Sequence, residues 1–319
     1  MRSSFHAILW SYPDFTPLEL FSPFYEIGAP VHLAATYTVG LVITLYNRPA
    51  YLARTLRSLE RSDLGDTVVM LVDDASDDPD TLRLVEAFNH PQAPVIKARR
   101  VAFSPDYPRP HTISQNLLFG WSYLAGRCRP TYLSNLDADM VVKRDWLRRL
   151  VTTHRLIAAQ DTRFMLTGFN TLDHYVVRAY AGFYEKLSLG GANLFFRVED
   201  LVSVVQISRV YSDDLTVMTW DWSLVRRLAG ESYRFYAARP SVAQHIGGRG
   251  VNSDEFRYDF ALDYYIPYQR LNTKLWRIIR AYRYVKLALA RARHTAKQVI
   301  IHRLGRQAQH QPLCGPPER

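Results

Sequence analysis

The sequence predicts an α/β fold, a mostly parallel sheet with helices on both faces, and three observations carry that reading. Apolar, β-branched runs alternate with amphipathic stretches, and strand and helix taking turns implies parallel pairing through crossovers. The apolar runs end in Tyr46-Asn47-Arg48-Pro49, Asp73-Asp74-Ala75-Ser76-Asp77-Asp78 and Asp137-Ala138-Asp139, at the strand ends where an open sheet collects its ligands. The composition, 48% hydrophobic and 22% charged over 319 residues, is that of a globular chain able to build one large core or two small ones.

The elements follow in order. Residues 1–37 are rich in aromatics and proline, without helix or strand period, and no function is read there. Val39–Leu45 reads as the first strand, and Pro49 opens a helix with Leu52, Leu56 and Leu59 on one face. Thr67–Val72 is the next strand and Thr81–Phe88 the next helix. A helical stretch from His111 to Leu124 precedes a third strand, Thr131–Leu136. Later, Leu194–Arg197 reads as a strand, and Trp222, Val225 and Leu228 lie on a helix that stops at Gly230. Ile27–Asn47 is 21 residues without a charge, long enough to span a bilayer. Its Gly28, Pro30, His32 and β-branched end favour a buried strand instead.

Charge is unevenly placed. Of 40 Lys and Arg and 30 Asp and Glu, twelve basic residues and one acid fall between Tyr264 and Arg319, leaving 28 basic and 29 acidic residues before them. A neutral body with a basic tail argues against a folded domain coated for nucleic acid, which needs cations spread along the contact face. Cys128 and Cys314 form no metal-type pair and no disulfide framework, so a reducing cytoplasm is expected. The apolar stretch Phe5–Trp10 is too brief for a secretory signal, and none is expected.

Asp137-Ala138-Asp139 offers two carboxylates at i and i+2, the oxygen ligands that Mg²⁺ or Mn²⁺ requires, or else a turn ahead of Trp146. Asp73 and Asp74 are either acceptors for a nucleotide base N–H or an acidic turn before a helix. Taken together, V-I-T-L-Y-N-R-P-A-Y-L (Val42–Leu52), L-V-D-D-A-S-D-D (Leu71–Asp78) and N-L-D-A-D-M (Asn135–Met140) resemble the nucleotide-binding half of glycosyltransferase family 2 and its GT-A fold relatives. The resemblance runs on through Gly190–Phe196, Trp220-Asp221-Trp222 and Pro240–Gly247, over roughly residues 38–255. It implies a GT-A catalytic domain, expected over 38–265, while composition and charge set apart an aromatic and proline-rich extension over 1–37 and a basic amphipathic helical tail over 266–319.

The resemblance also implies roles. Thr44 and Tyr46 match residues that contact the base, with Asn47 and Arg48 in the same nucleotide-sugar-binding turn. Asp74 matches the base-binding carboxylate, whose preference for an imide N–H favours a uridine or thymidine donor. Asp137 sits near the ribose or the ion, Asp139 matches the metal-binding carboxylate, and His245 is either the late histidine that completes the coordination of Mn²⁺ or Mg²⁺ or a structural residue. Gly191 lies in the segment expected to form a floor under the donor sugar, where missing side chains let substrate approach, or in a plain turn. Asp221 is the candidate general base, or an aspartate near a helix start. The family commonly reads Glu-Asp there, and Trp220 replaces the first acid. Gln115, in Ser114-Gln115-Asn116, stands where the family has an arginine that helps hold the diphosphate, so Arg109, His111 or the metal is expected to compensate.

In the tail, Leu275, Ile278, Ile279, Tyr282, Val285 and Leu289 share a helical face with Lys274, Arg277, Arg280 and Arg291 turned away. That pattern suits an anionic membrane surface contacted through residues 270–306, or a solvated helix. The expectation is a metal-dependent, inverting glycosyltransferase moving sugar from a UDP- or dTDP-type donor to a glycan or lipid-linked acceptor of envelope polysaccharide synthesis, cytoplasmic or peripheral on the inner membrane face. The competing readings are a sugar nucleotidyltransferase, disfavoured because Tyr46–Pro49 has no glycine, and a decayed membrane- or nucleic-acid-binding protein.

Overall fold

The structure, a computed structural model, describes residues 22–29, 31–34, 36–103, 112–171, 174–205, 220–247 and 261–265, with Val285, Leu289 and Ala292. The chain divides into two compact units, Met1–Ile266 and Pro267–Arg319.

In the first unit the strands are β1 (Tyr25–Ile27), β2 (Tyr37–Leu45), β3 (Thr67–Asp73), β4 (Val95–Arg100), β5 (Pro130–Asp137), β6 (Met140–Val142), β7 (Phe164–Thr167), β8 (Val176–Ala179), β9 (Phe183–Lys186), β10 (Phe195–Arg197), β11 (Arg234–Ala238) and β12 (Ala243–His245). The helices are α1 (Pro49–Glu60), α2 (Pro79–Ala87), α3 (Thr112–Cys128), α4 (Trp146–Ala158), α5 (Leu201–Val205), α6 (Trp220–Gly230) and α7 (Leu262–Tyr265). Ten strands form one sheet in the order β1-β4-β3-β2-β5-β10-β7-β11-β9-β8, and β12 pairs with β6 apart from it. The run β4-β3-β2-β5 is parallel, as the alternation of strand and helix requires. The fold class is therefore the expected one.

Periodicity explains the core. Along β2, Val39, Leu41, Ile43 and Leu45 face one side, where they pack with Leu52, Leu56 and Leu59 of α1 and Leu147 and Leu150 of α4. Val42 faces the other, with Met70 and Val72 of β3 and Leu117, Phe119 and Trp121 of α3. Each such aliphatic side chain, fully buried, contributes about 1.5–3 kcal/mol. The uncharged stretch Ile27–Asn47 resolves into the end of β1 and the central strand β2. Among the described residues no helix is long and apolar enough to cross a membrane.

Three features go beyond the sequence reading. β4 carries Lys97, Arg99 and Arg100 and was not read as a strand; its inward positions are Ile96, Ala98 and Arg100. Within the first 37 residues, β1 pairs antiparallel with β4, Tyr25 opposite Arg100. The second half adds antiparallel pairings, β10 to β5 and β7, and β9 to β11 and β8. Helix α2 starts two residues earlier than expected, because Asp78 caps it: Thr81 N donates to Asp78 Oδ1 at 2.7 Å. Arg109, His111 and most of residues 270–306 lie outside the described residues. Val285 and Leu289 of the second unit are helical and exposed.

Candidate active site

The site lies at the carboxyl ends of β2, β3 and β5. Register sets the first contact: Thr44 on β2 pairs with Asp137 on β5, and Thr44 Oγ1 and Asp137 Oδ1 are buried oxygens with no hydrogen-bond partner among the described residues. Orphaned buried polar atoms are uncommon and point to a missing partner.

Beyond β5 the chain turns, and Asp139 is buried at 7% exposure. Its Oδ2 accepts from Arg48 Nη1 at 2.8 Å and lies 3.3 Å from His245 Nε2. His245 is delivered by the β6–β12 ladder, where it sits opposite Met140, and Ile246 N donates to Asp139 O at 2.8 Å. Burial works upward on the Asp139 carboxyl, but His245 and Arg48 outweigh it and hold the group below its ordinary value. Asp137 goes the other way. Burial, then the neighbouring Asp139 carboxylate and that of Asp221, push it well above the usual carboxylate range, against His245 and Arg48. Asp137, Asp139, Asp221, His245 and Arg48 thus share one electrostatic neighbourhood. Gly247 closes it: a Cβ there would stand 2.1 Å from Asp139 Oδ2, so no side chain fits.

Asp221 lies in the first turn of α6. Its Oδ2 accepts from Gly191 N at 3.2 Å and its Oδ1 from Trp222 N at 2.9 Å. Gly191 is bare for a different reason than expected. A Cβ there would meet Trp220 Cζ2 at 2.3 Å, so the indole, not substrate, fills the space over it. The two tryptophans also part company: Trp220 is buried, whereas Trp222 is 40% exposed and lies against the His174 ring, centroids 5.3 Å apart.

The turn after β2 is held by Asn47. Its Nδ2 donates to Asp77 Oδ1 at 2.8 Å, and its Oδ1 accepts from Asp77 N and Asp78 N at 3.2 and 3.0 Å. Asn47 and Arg48 both have left-handed backbones, φ 48° and 62°, which asparagine tolerates and arginine adopts only under constraint. Asn47, expected among the donor contacts, here spends its amide on the neighbouring loop. Tyr46 is 39% exposed beside it.

Asp74 belongs to a second cluster. Its Oδ1 accepts from Arg100 Nε at 2.6 Å and its Oδ2 from Thr112 Oγ1 at 2.5 Å. The Arg100 side chain is fully buried and also donates to Gln115 Oε1 at 2.9 Å, Asn116 Oδ1 at 2.7 Å, Thr112 O at 3.3 Å and the Tyr25 hydroxyl. The charge absent from position 115 therefore stands beside it, brought by β4. Arg100 and Tyr25 escaped the sequence reading; the only signal for Arg100 was its inward parity after Ile96 and Ala98. Asp73, in contrast, turns inward at 2% exposure and accepts from Ser76 N at 3.1 Å, with its carboxyl raised by burial.

Among the described residues no group of three or more His, Cys, Asp or Glu side chains is placed to hold a metal ion. Asp137 Oδ1, which has no hydrogen-bond partner among the described residues, shares its electrostatic neighbourhood with Asp139 and His245, and carboxylate and imidazole are donor types that divalent ions accept.

No curated protein matches the chain. Among solved structures, S. aureus TarS 1-349 is similar at 13% identity, covering 63% of this chain and 60% of that one, TM-score 0.41. TarS 1-349 in complex with UDP-GlcNAc gives 14%, 63%, 58% and 0.40. The mannosyltransferase PcManGT from Pyrobaculum calidifontis, in complex with GDP-Man and Mn²⁺, gives 16%, 65%, 57% and 0.41. The chain thus spans about three fifths of the length of these proteins. A family model described as Glycosyl transferase family 2 matches residues 41–159, from β2 to the end of α4 with both acidic turns between them. Over those residues the chain is similar to that family.

Proposed function

We propose that this protein is a metal-dependent glycosyltransferase that takes a sugar from a nucleoside diphosphate and transfers it with inversion. The observation that supports it most is the gathering of Asp137, Asp139, Asp221, His245 and Arg48 into one neighbourhood, at strand ends within and beside the family-matched residues. The residues that would hold a divalent ion are Asp139 and His245 with Asp137; neutralising the departing diphosphate is the chemistry such an ion supplies when bound. Arg48, already paired with Asp139, is placed to meet the same phosphates.

Asp221 acts as the base. As the acceptor hydroxyl oxygen bonds to the anomeric carbon, its proton passes to the Asp221 carboxylate, and the bond from that carbon to the diphosphate oxygen breaks. Direct displacement inverts the anomeric centre. Asp74 receives the base N–H, favouring UDP- or dTDP-sugars. The acceptor is a glycan or a lipid-linked glycan, which the basic second unit would bring near an anionic membrane surface at the inner face. In the test, the protein is screened against labelled sugar nucleotides for metal-stimulated release of nucleoside diphosphate. Release from none of them, with and without Mn²⁺, defeats the proposal and favours a decayed site.

A further inference from the structure

The Asp74 cluster contains a second unpartnered atom. Gln115 is 1% exposed, and its Nε2 has no hydrogen-bond partner among the described residues. Its orientation is dictated, because Arg100 only donates and Gln115 Oε1 must therefore face it. One guanidinium thus holds an acceptor, Asp74, through its Nε and a donor, the Gln115 amide, through its Nη1. What fixes the guanidinium comes from outside the family-matched residues. Tyr25 on β1 stands opposite Arg100 in register, its ring stacks on Phe119 with centroids 4.0 Å apart, and the Arg100 guanidinium lies 4.7 Å from the ring centre. Its hydroxyl accepts from Arg100 and donates to Asn116 Oδ1 at 2.6 Å.

We propose that Tyr25 is a positioning residue for nucleotide selection, acting through Arg100 to hold Asp74 and Gln115 as a paired acceptor and donor for the edge of the base. The inference rests on the reading of the cleft as a nucleoside diphosphate site. An acceptor beside a donor complements a ring N–H next to a carbonyl, as in uracil, thymine and guanine. It rejects cytosine and adenine, whose ring nitrogen at that place is itself an acceptor and meets the carboxylate without a proton. The strand added before residue 41 is then part of the selectivity apparatus.

The test uses the full chain with Mn²⁺ and calorimetric binding of UDP, dTDP, GDP, CDP and inorganic pyrophosphate. Tyr25→Phe keeps the ring stack and deletes the hydroxyl. The best of the imide or lactam nucleotides is expected to weaken about tenfold, the scale of one hydrogen bond to a charged group, while CDP and pyrophosphate stay within about twofold. Gln115→Glu, which keeps the bond to Arg100 and removes the donor, reads the same pair without touching Tyr25 and is expected to erase the same preference. An unchanged preference over CDP in either folded variant overturns the proposal, as does equal weakening of every ligand, pyrophosphate included. A wild-type protein that binds neither nucleotides nor pyrophosphate removes the glycosyltransferase reading itself, whereas one that binds them all without preference removes only the role of Tyr25.

Discussion

The two polar clusters at the strand ends are built on opposite principles. Around Arg100 every strong donor of the guanidinium has found an acceptor, and Asp74 is engaged on both oxygens. Around Asp139 the carboxyl groups of Asp137 and Asp221 crowd in beside Arg48 and His245, and the buried Thr44 Oγ1 and Asp137 Oδ1 have no hydrogen-bond partner among the described residues. A guanidinium satisfied on every donor nitrogen rigidifies the fold before any ligand arrives, even with the Gln115 amide nitrogen beside it unused, while a crowded cluster of acids stores its deficit for the ligand to relieve. Removing the buried cation at the first end should therefore appear chiefly as lost stability, whereas trimming a carboxylate at the second should appear as lost binding or turnover.

The sharpest break in that contrast is Asp221→Ala. Turnover is expected to fall about a thousandfold, within the range that general-base groups supply, while nucleotide affinity holds; a normal rate of sugar transfer removes Asp221 from its role. Next comes Arg100→Met, which leaves the Asp74 carboxylate buried without its cation and is expected to cost about 3 kcal/mol in urea unfolding. If stability is retained, the closed end is not the structural half. Asp139→Ala reverses the pattern: unfolding without ligand should barely move, but the stabilisation by Mn²⁺ and UDP, about 2.7 kcal/mol at a hundredfold excess over Kd, should vanish from thermal shift.

The smallest effect belongs to neither end. His154, packed among Tyr132, Phe164 and Phe195, has its pKa lowered to about 4 by burial. The folded protein therefore refuses a proton that the unfolded chain accepts at about 6.5, so stability is lost as pH falls from about 6.5 toward 4. Between pH 7.5 and 5 that loss is about 2 kcal/mol. His154→Phe should abolish it, and acid sensitivity that persists unchanged would move its origin into the cleft.

The legible part of this molecule was the half whose strands are apolar on both faces. Val39–Leu45 and Thr67–Val72 announce themselves as charge-free runs rich in β-branched residues, and an acidic turn follows the second directly, as one follows Thr131–Leu136, which is what makes Asp74, Asp137 and Asp139 legible. The Trp220-Asp221-Trp222 segment was visible only through its place in a series of motifs. β4 was invisible because its sequence, Val95–Arg100, ends in charges that look solvated; a carboxylate 26 residues earlier, with acceptors on β1 and α3, makes Arg100 a buried residue. Gly191 was noticed, but what lies over it, the Trp220 indole, depends on a helix thirty residues away that no local pattern specifies.

The amide of Asn47, bound at both ends to the acidic loop after β3, welds two turns into one piece. A donor molecule would then be gripped by a single rigid jaw rather than by independent fingers. An exchange of either loop alone between related enzymes would carry half a tool, and transplants that move residues 46–48 and 73–78 as a unit are the ones that should keep their grip.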